Sequence, residues 1–173
     1  MKAQVVEQVT VAQAKTAIAQ TAALYFAKDA NGRYRIDRRR ARPVCLMGPV
    51  VRQVAEEQGL AFLSYSVTHH TRQSAIGLPR LSECEVDGRT VPITEYTMSE
   101  IIAEVYRVMR ESGKKEGILF LDEFNCESET LRPIMLQLLQ SKTFGPHTIP
   151  DGWMLVLAGN PSEYNVSARA LDA

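Results

Sequence analysis

The residues best suited to chemistry stand at the end of one stretch, Gly117-Ile118-Leu119-Phe120-Leu121-Asp122-Glu123. A run of large apolar side chains stops abruptly at two carboxylates. A short continuous apolar run reads as a strand buried on both faces, as in a parallel sheet. Asp and Glu are poor strand residues and costly to bury, so they are expected where the strand leaves the sheet. In open α/β sheets that carboxyl edge is where ligands bind. Two adjacent carboxylates there suit a divalent cation and a polarised water, the pairing that nucleoside triphosphate hydrolysis needs. An acidic turn between a strand and a helix would have the same short sequence.

The rest of the chain supplies elements that could position this pair. Pro43-Val44-Cys45-Leu46-Met47-Gly48-Pro49 reads as a short apolar strand ending in Gly-Pro. Val50 to Gln58 follows with the apolar spacing of a helix, stopped by Gly59, and Ala61 to Val67 is a second strand. The strand–helix–strand order implies parallel pairing. No capping residue precedes Val50, which would leave the first N–H groups of that helix without partners. A phosphate loop would belong between Pro49 and Val50, so the Cα atoms of these two residues are expected farther apart than the roughly 3.8 Å of one peptide. Thr68 to Pro79 leaves the second strand as a polar loop at the carboxyl edge. His69 and His70 have no third ligand at metal spacing nearby.

Leu81–Val86 and Arg89–Ile93 flank Asp87-Gly88 and read as a β-hairpin. Thr97 or Ser99 opens a helix whose apolar face holds Ile101, Ile102, Val105, Val108 and Met109, and Met98 and Met109 are expected in the core. A helix is expected from about Ser128 to Gln140, with Pro133 in its first turn. Phe144 to Gly152 is a second turn-rich hairpin or loop. Trp153 to Ala158 is another buried strand, ending in Gly159-Asn160-Pro161, so an amide reaches the same edge as Asp122 and Glu123. Upstream, Thr10-Val11-Ala12-Gln13 resembles a capping box opening an Ala-rich helix that runs to about Ala27. Arg33 to Arg42 is a basic run, read either as a phosphate or nucleic-acid contact or as a solvated linker. These features divide the chain into an N-terminal helix and basic linker over 1–42 and an α/β core over 43–173.

Composition narrows the function classes. The 173 residues are 45% hydrophobic and 23% charged, which suits one globular domain. Lys and Arg total 20 and Asp and Glu total 20, so no global field draws the protein to nucleic acid or a membrane surface. No apolar stretch is long enough to span a bilayer. Cys45, Cys84 and Cys126 are scattered and odd in number, which suggests reduced thiols and a cytoplasmic location.

The combination of motifs resembles the AAA+ ATPases. The particular set is similar to the MoxR-like group: Gly48-Pro49 after the first strand, Ile76-Gly77-Leu78-Pro79 after the second, a hairpin before the Ser99 helix, Leu121-Asp122-Glu123, and Ala158-Gly159-Asn160-Pro161. The resemblance runs from Pro43 to about Asp172. It implies a three-layer αβα sandwich of P-loop NTPase type, with a mostly parallel sheet and β-hairpin inserts. It implies ATP and Mg²⁺ as cofactors, Asp122 and Glu123 as the Walker-B pair, and Asn160 as the sensor-1 residue that helps orient the attacking water. Asp122 would hold the metal, and Glu123 would activate the water. Gly48 and Pro49 match the leading residues of the phosphate loop. The segments Leu81–Ile93 and Thr143–Gly152 match the helix-2 insert and the pre-sensor-1 hairpin, which in the family point toward the central opening of a ring. Members of the group are chaperone-like remodelling ATPases acting on protein substrates. They form homo-oligomeric rings, hexamers by expectation, and often work with a partner carrying a von Willebrand factor A domain. The balanced charge and the lack of a spanning apolar stretch give the expectation of no membrane partner and make nucleic acid an unfavoured one.

The sequence departs from the family at one decisive place. The pattern G-x-x-x-x-G-K-[ST] is absent, and the helix at Val50 follows Gly48-Pro49 at once. Arginine-finger and sensor-2 positions have no counterpart here. A nucleotide-free module of the same fold, acting through protein contacts, is therefore the alternative expectation.

Overall fold

The computed structural model describes residues 9–37, 44–46, 50–69, 71–126 and 128–159. At its centre β5 (Gly117–Asp122) pairs in parallel with β2 (Ala61–Ser66) on one side and β8 (Trp153–Ala158) on the other. β1 (Val44–Leu46) pairs in parallel with the far side of β8, giving a four-stranded sheet in the order β1-β8-β5-β2. Every residue of β5 from Gly117 to Leu121 is buried, and only Asp122 is half-buried, as a strand covered on both faces requires.

Alternation along the strands sorts the core into two layers. Ile118 and Phe120 of β5 join Met154 and Val156 of β8 on one face, against Ile18, Ala22, Val51 and Val54. These come from α1 (Val11–Tyr25) and α2 (Val51–Glu57). Leu119 and Leu121 join Trp153, Leu155 and Leu157 on the other face. That face is covered by α3 (Arg72–Ile76), α4 (Glu100–Ser112) and α5 (Arg132–Ser141). The protein is thus α/β, with helices on both sides of a parallel sheet. Burying each large aliphatic or aromatic side chain contributes about 1.5–3 kcal/mol. Gly117 is needed at the start of β5: a Cβ there would lie 3.0 Å from Ala61 and from the Trp153 ring.

The path of the chain explains where the strands end. From β1 it crosses the whole sheet through α2 to β2, then steps back through α4 to β5 and through α5 to β8. Right-handed crossovers require the covering helices to change face when the direction reverses. Register pairs Leu46 with Ala158, Leu121 with Leu157, and Ser66 with Asp122. All four strands therefore release the chain at one level of one edge.

The first helix is tied into this core. Thr10 and Gln13 form the expected capping box, with Gln13 N–H donating to Thr10 Oγ1 at 3.2 Å and Thr10 N–H to Gln13 Oε1 at 2.8 Å. The helix ends at Tyr25, whose hydroxyl donates to the Trp153 carbonyl at 2.8 Å. Lys142, the residue after α5, has a left-handed backbone (φ 57°) and is only 4% exposed. Its Nζ donates to the same Trp153 carbonyl at 3.2 Å and to the Tyr25 hydroxyl. Burial pulls the Lys142 ammonium down to about 8, against the opposing charge of Asp151.

Four sequence expectations are corrected. The polar loop of residues 68–79 instead holds a 3₁₀ turn, Val67–His69, and the short helix α3, whose Thr71 cap accepts from Ser74 N–H at 3.3 Å. Pro79 already belongs to the hairpin strand β3 (Pro79–Val86), which pairs with β4 (Arg89–Tyr96), so that hairpin is longer than expected. Helix α5 starts at Arg132, not near Ser128: Pro133 lacks an N–H and is tolerated only in a first turn. Met98 is 47% exposed and outside the core, while Met109 packs against it. The second hairpin is present as β6 (Thr143–Phe144) and β7 (His147–Thr148). Residues 38–42 of the basic run and Pro49, with its junction to Val50, lie outside the described residues.

Candidate functional site

Asp122 is the last residue of β5, and Glu123 is the first beyond it. Glu123 takes a left-handed backbone conformation (φ 55°), which costs a residue with a side chain about 1–2 kcal/mol. The turn is held locally: Glu123 N–H donates to Asp122 Oδ1 at 2.9 Å, and Cys126 N–H donates to the Glu123 carbonyl at 2.9 Å. The Glu123 side chain thereby swings toward the neighbouring strand. Its Oε2 accepts from Thr68 Oγ1 at 2.7 Å and from Ser66 Oγ at 3.0 Å, and the two hydroxyls lie 3.0 Å from each other. Ser66 stands opposite Asp122 in the sheet, and Thr68 sits in the 3₁₀ turn that follows β2.

These contacts set the electrostatics. The Thr68 hydroxyl, then the Ser66 hydroxyl, and finally the charge of His69 favour the Glu123 carboxylate; partial burial opposes them, and its pKa falls below the usual value. Glu123 is thus an ionised acceptor at neutral pH, held on one oxygen by two hydroxyl donors. That is the charge state a proton acceptor needs. The same carboxylates act on Cys126: burial first, then the charges of Glu123 and Asp122, push its thiol pKa up.

Asn125 was not singled out in the sequence. It lies in the 3₁₀ turn Phe124–Cys126, directly after the carboxylates, and is 4% exposed. A Cβ on Gly159 would come within 2.7 Å of its Oδ1. The amide of Asn125 thus fills the space beneath the end of β8, and Gly159 is the residue that leaves room for it. Ser66 and Thr68 were likewise missed as individual residues. The available signal was hydroxyl residues at the carboxyl end of a strand expected beside β5, and only the register says that one of them faces Asp122.

The other expected site residues are Gly48, Pro49 and Asn160, and all three lie outside the described residues. The described strands do fix what precedes them. Leu46 and Ala158 are paired, level with the end of β5. Adjacent strands lie about 4.8 Å apart, so the exits of β1 and β5, with β8 between them, are about 10 Å apart. Among the described residues no three His, Cys, Asp or Glu side chains cluster as a metal site. Mg²⁺ does not require such a cluster, because it binds through one or two carboxylates with waters and phosphate oxygens completing the shell. Asp122 and Glu123 fit the metal and water half of a nucleotide site. The phosphate-holding half is not matched, since the sequence has no G-x-x-x-x-G-K-[ST] segment.

Comparison with protein-family models and with curated proteins finds no match to this chain. No helix among the described residues is long and apolar enough to cross a membrane.

Proposed function

We propose that this chain is the αβα core of a MoxR-like AAA+ ATPase, a P-loop NTPase of the cytoplasm that works as a ring-shaped homo-oligomer, a hexamer, on protein substrates. A partner carrying a von Willebrand factor A domain fits the same reading. The observation that carries it is the carboxylate pair at the exit of an interior parallel strand, level with the ends of β1 and β8. ATP with Mg²⁺ would supply the phosphoanhydride to be cleaved. Asp122 would bind the metal. Glu123, ionised and anchored by Thr68 and Ser66, would take the proton of the attacking water. Asn160 would orient that water from the end of β8. In this arrangement the two hydroxyls hold Glu123 against β2, so its productive use would require those bonds to loosen.

The missing phosphate-loop pattern favours a second reading, a nucleotide-free AAA+-like module that acts by binding proteins. Calorimetry with ATP and Mg²⁺, paired with a phosphate-release assay, separates the two. For an ATPase, Glu123→Gln keeps nucleotide binding and slows turnover by roughly 10²–10⁴. Asp122→Ala weakens the Mg²⁺-dependent part of binding itself. Turnover unchanged in Glu123→Gln removes Glu123 from the mechanism, and no binding of ATP to the wild-type chain decides for the interaction module.

A further inference from the structure

The β3–β4 hairpin has one interrupted edge and one open edge. Asp87 and Gly88 both have positive φ (51° and 72°), the signature of a tight two-residue turn. Val86 and Arg89 therefore close the hairpin as a hydrogen-bonded pair. At the base, Thr97 N–H donates to the Leu78 carbonyl at 2.9 Å, which fixes the same parity from the other end. Even-numbered residues of β3 thus bond to β4, and Leu81, Glu83 and Glu85 turn their N–H and C=O groups outward. Pro92 faces Glu83, so its missing donor falls on the outer edge of β4. Proline there breaks the row of donors another strand would need.

The β3 edge carries a proline only at its first residue, Pro79, and has no such break from Leu81 to Glu85. Among the described residues, no backbone hydrogen bond from outside the hairpin reaches Leu81, Glu83 or Glu85. Their side chains share one face, all are exposed, and Leu81 reaches 83%. A two-stranded hairpin is marginal without a further strand or a packed face. A second copy is a poorer third strand, because antiparallel β3–β3 pairing centred on Glu83 sets Glu83 against its like and leaves Glu85 opposite Leu81 rather than a cation.

We propose that the β3 edge accepts an extended segment of a partner protein as a third strand, one carrying basic residues opposite Glu85 and Glu83 and an apolar residue opposite Leu81. Read from its N-terminus in antiparallel pairing, the segment is basic-x-basic-x-apolar. Backbone bonds to Leu81, Glu83 and Glu85 supply affinity, and the alternate side chains supply selectivity. This stands apart from the nucleotide chemistry, because it uses no residue of the carboxylate site.

The test is nuclear magnetic resonance titration of the full chain with a blocked peptide alternating Arg and Thr and ending in Val. The expected result is amide shifts confined to the hairpin, with exchange protection at Leu81, Glu83 and Glu85. Joint Glu83→Lys and Glu85→Lys substitution weakens binding roughly tenfold, from two reversed cross-strand pairs. N-methylation of the peptide amides that face β3 abolishes binding to the wild-type chain, a result that does not depend on any variant folding. Equal binding of the N-methylated peptide would reduce the contact to charge alone and overturn the proposal. So would an absence of binding, which would leave Glu83 and Glu85 only as guards against strand pairing. Self-association without peptide, abolished by the double substitution, would assign the edge to a second copy and overturn it equally.

Discussion

Lys142→Met tests the account of the core most directly. Lys142 releases its proton near pH 8 in the folded chain, and near its ordinary 10.5 when unfolded. Between these values the unfolded state binds more protons, so stability rises with pH. Integrating the two titrations gives a gain of about 2 kcal/mol between pH 8 and pH 10, and a charge penalty of about 3 kcal/mol at pH 7. Tyr65 sets the upper limit of the window: burial, then the charges of Glu100 and Glu104, raise its phenol pKa, and that contribution is lost as pH climbs past the ordinary tyrosine range. Met replaces the apolar stem of Lys up to Cε and removes the ammonium with its charge. The Tyr25 hydroxyl still donates to the Trp153 carbonyl, and the left-handed backbone at position 142 costs the same before and after. The variant is therefore expected to be more stable at pH 7 by up to about 3 kcal/mol and to lose the slope between pH 8 and pH 10. Trp153, the single Trp of the chain, lies at the site and reports urea unfolding by fluorescence. A flat wild-type profile over that window, or a slope that survives in Lys142→Met, would refute the buried-ammonium argument.

Removing the donor in Thr68→Val is expected to raise the Glu123 pKa toward its ordinary value, read by carbon-13 titration of the side-chain carboxyl. The depressed wild-type carboxyl stabilises the fold above its unfolded pKa and loses that contribution as pH falls through the folded one, so the variant should also show a shallower acid limb. An unmoved midpoint would mean that the hydroxyls do not hold the carboxylate. Gly159→Ala places a Cβ 2.7 Å from Asn125 Oδ1 and is expected to cost about 1–3 kcal/mol in a urea titration. Asn125→Ala should relieve that clash, so strictly additive losses in the double-mutant cycle would show that the two residues do not meet.

Much of the fold was legible because its signals are local. The apolar run from Gly117 to Leu121 could satisfy itself only as a strand covered on both faces, and the capping pair Thr10 and Gln13 marks a helix start within four residues. Asp87-Gly88 announces its hairpin in the same way, since a turn with two positive φ values admits few residue types. The carboxylates of Asp122 and Glu123 were legible because charge ends an apolar strand. Where that charge points was not. Glu123 bonds to Ser66 and Thr68, more than fifty positions away in sequence, because β2 and not β8 lies on that side of β5, and only the register sets Ser66 opposite Asp122. The same holds for Asn125, recognisable as a buried part of the site only through Gly159, and for Lys142, which reads as a surface lysine until Tyr25 and Trp153 close over it. Periodicity and capping act over a few residues, so the sequence carried the elements and the carboxylate pair. Strand order acts over the whole chain, and the tertiary structure alone decided which hydroxyls, amide and lysine those elements enclose.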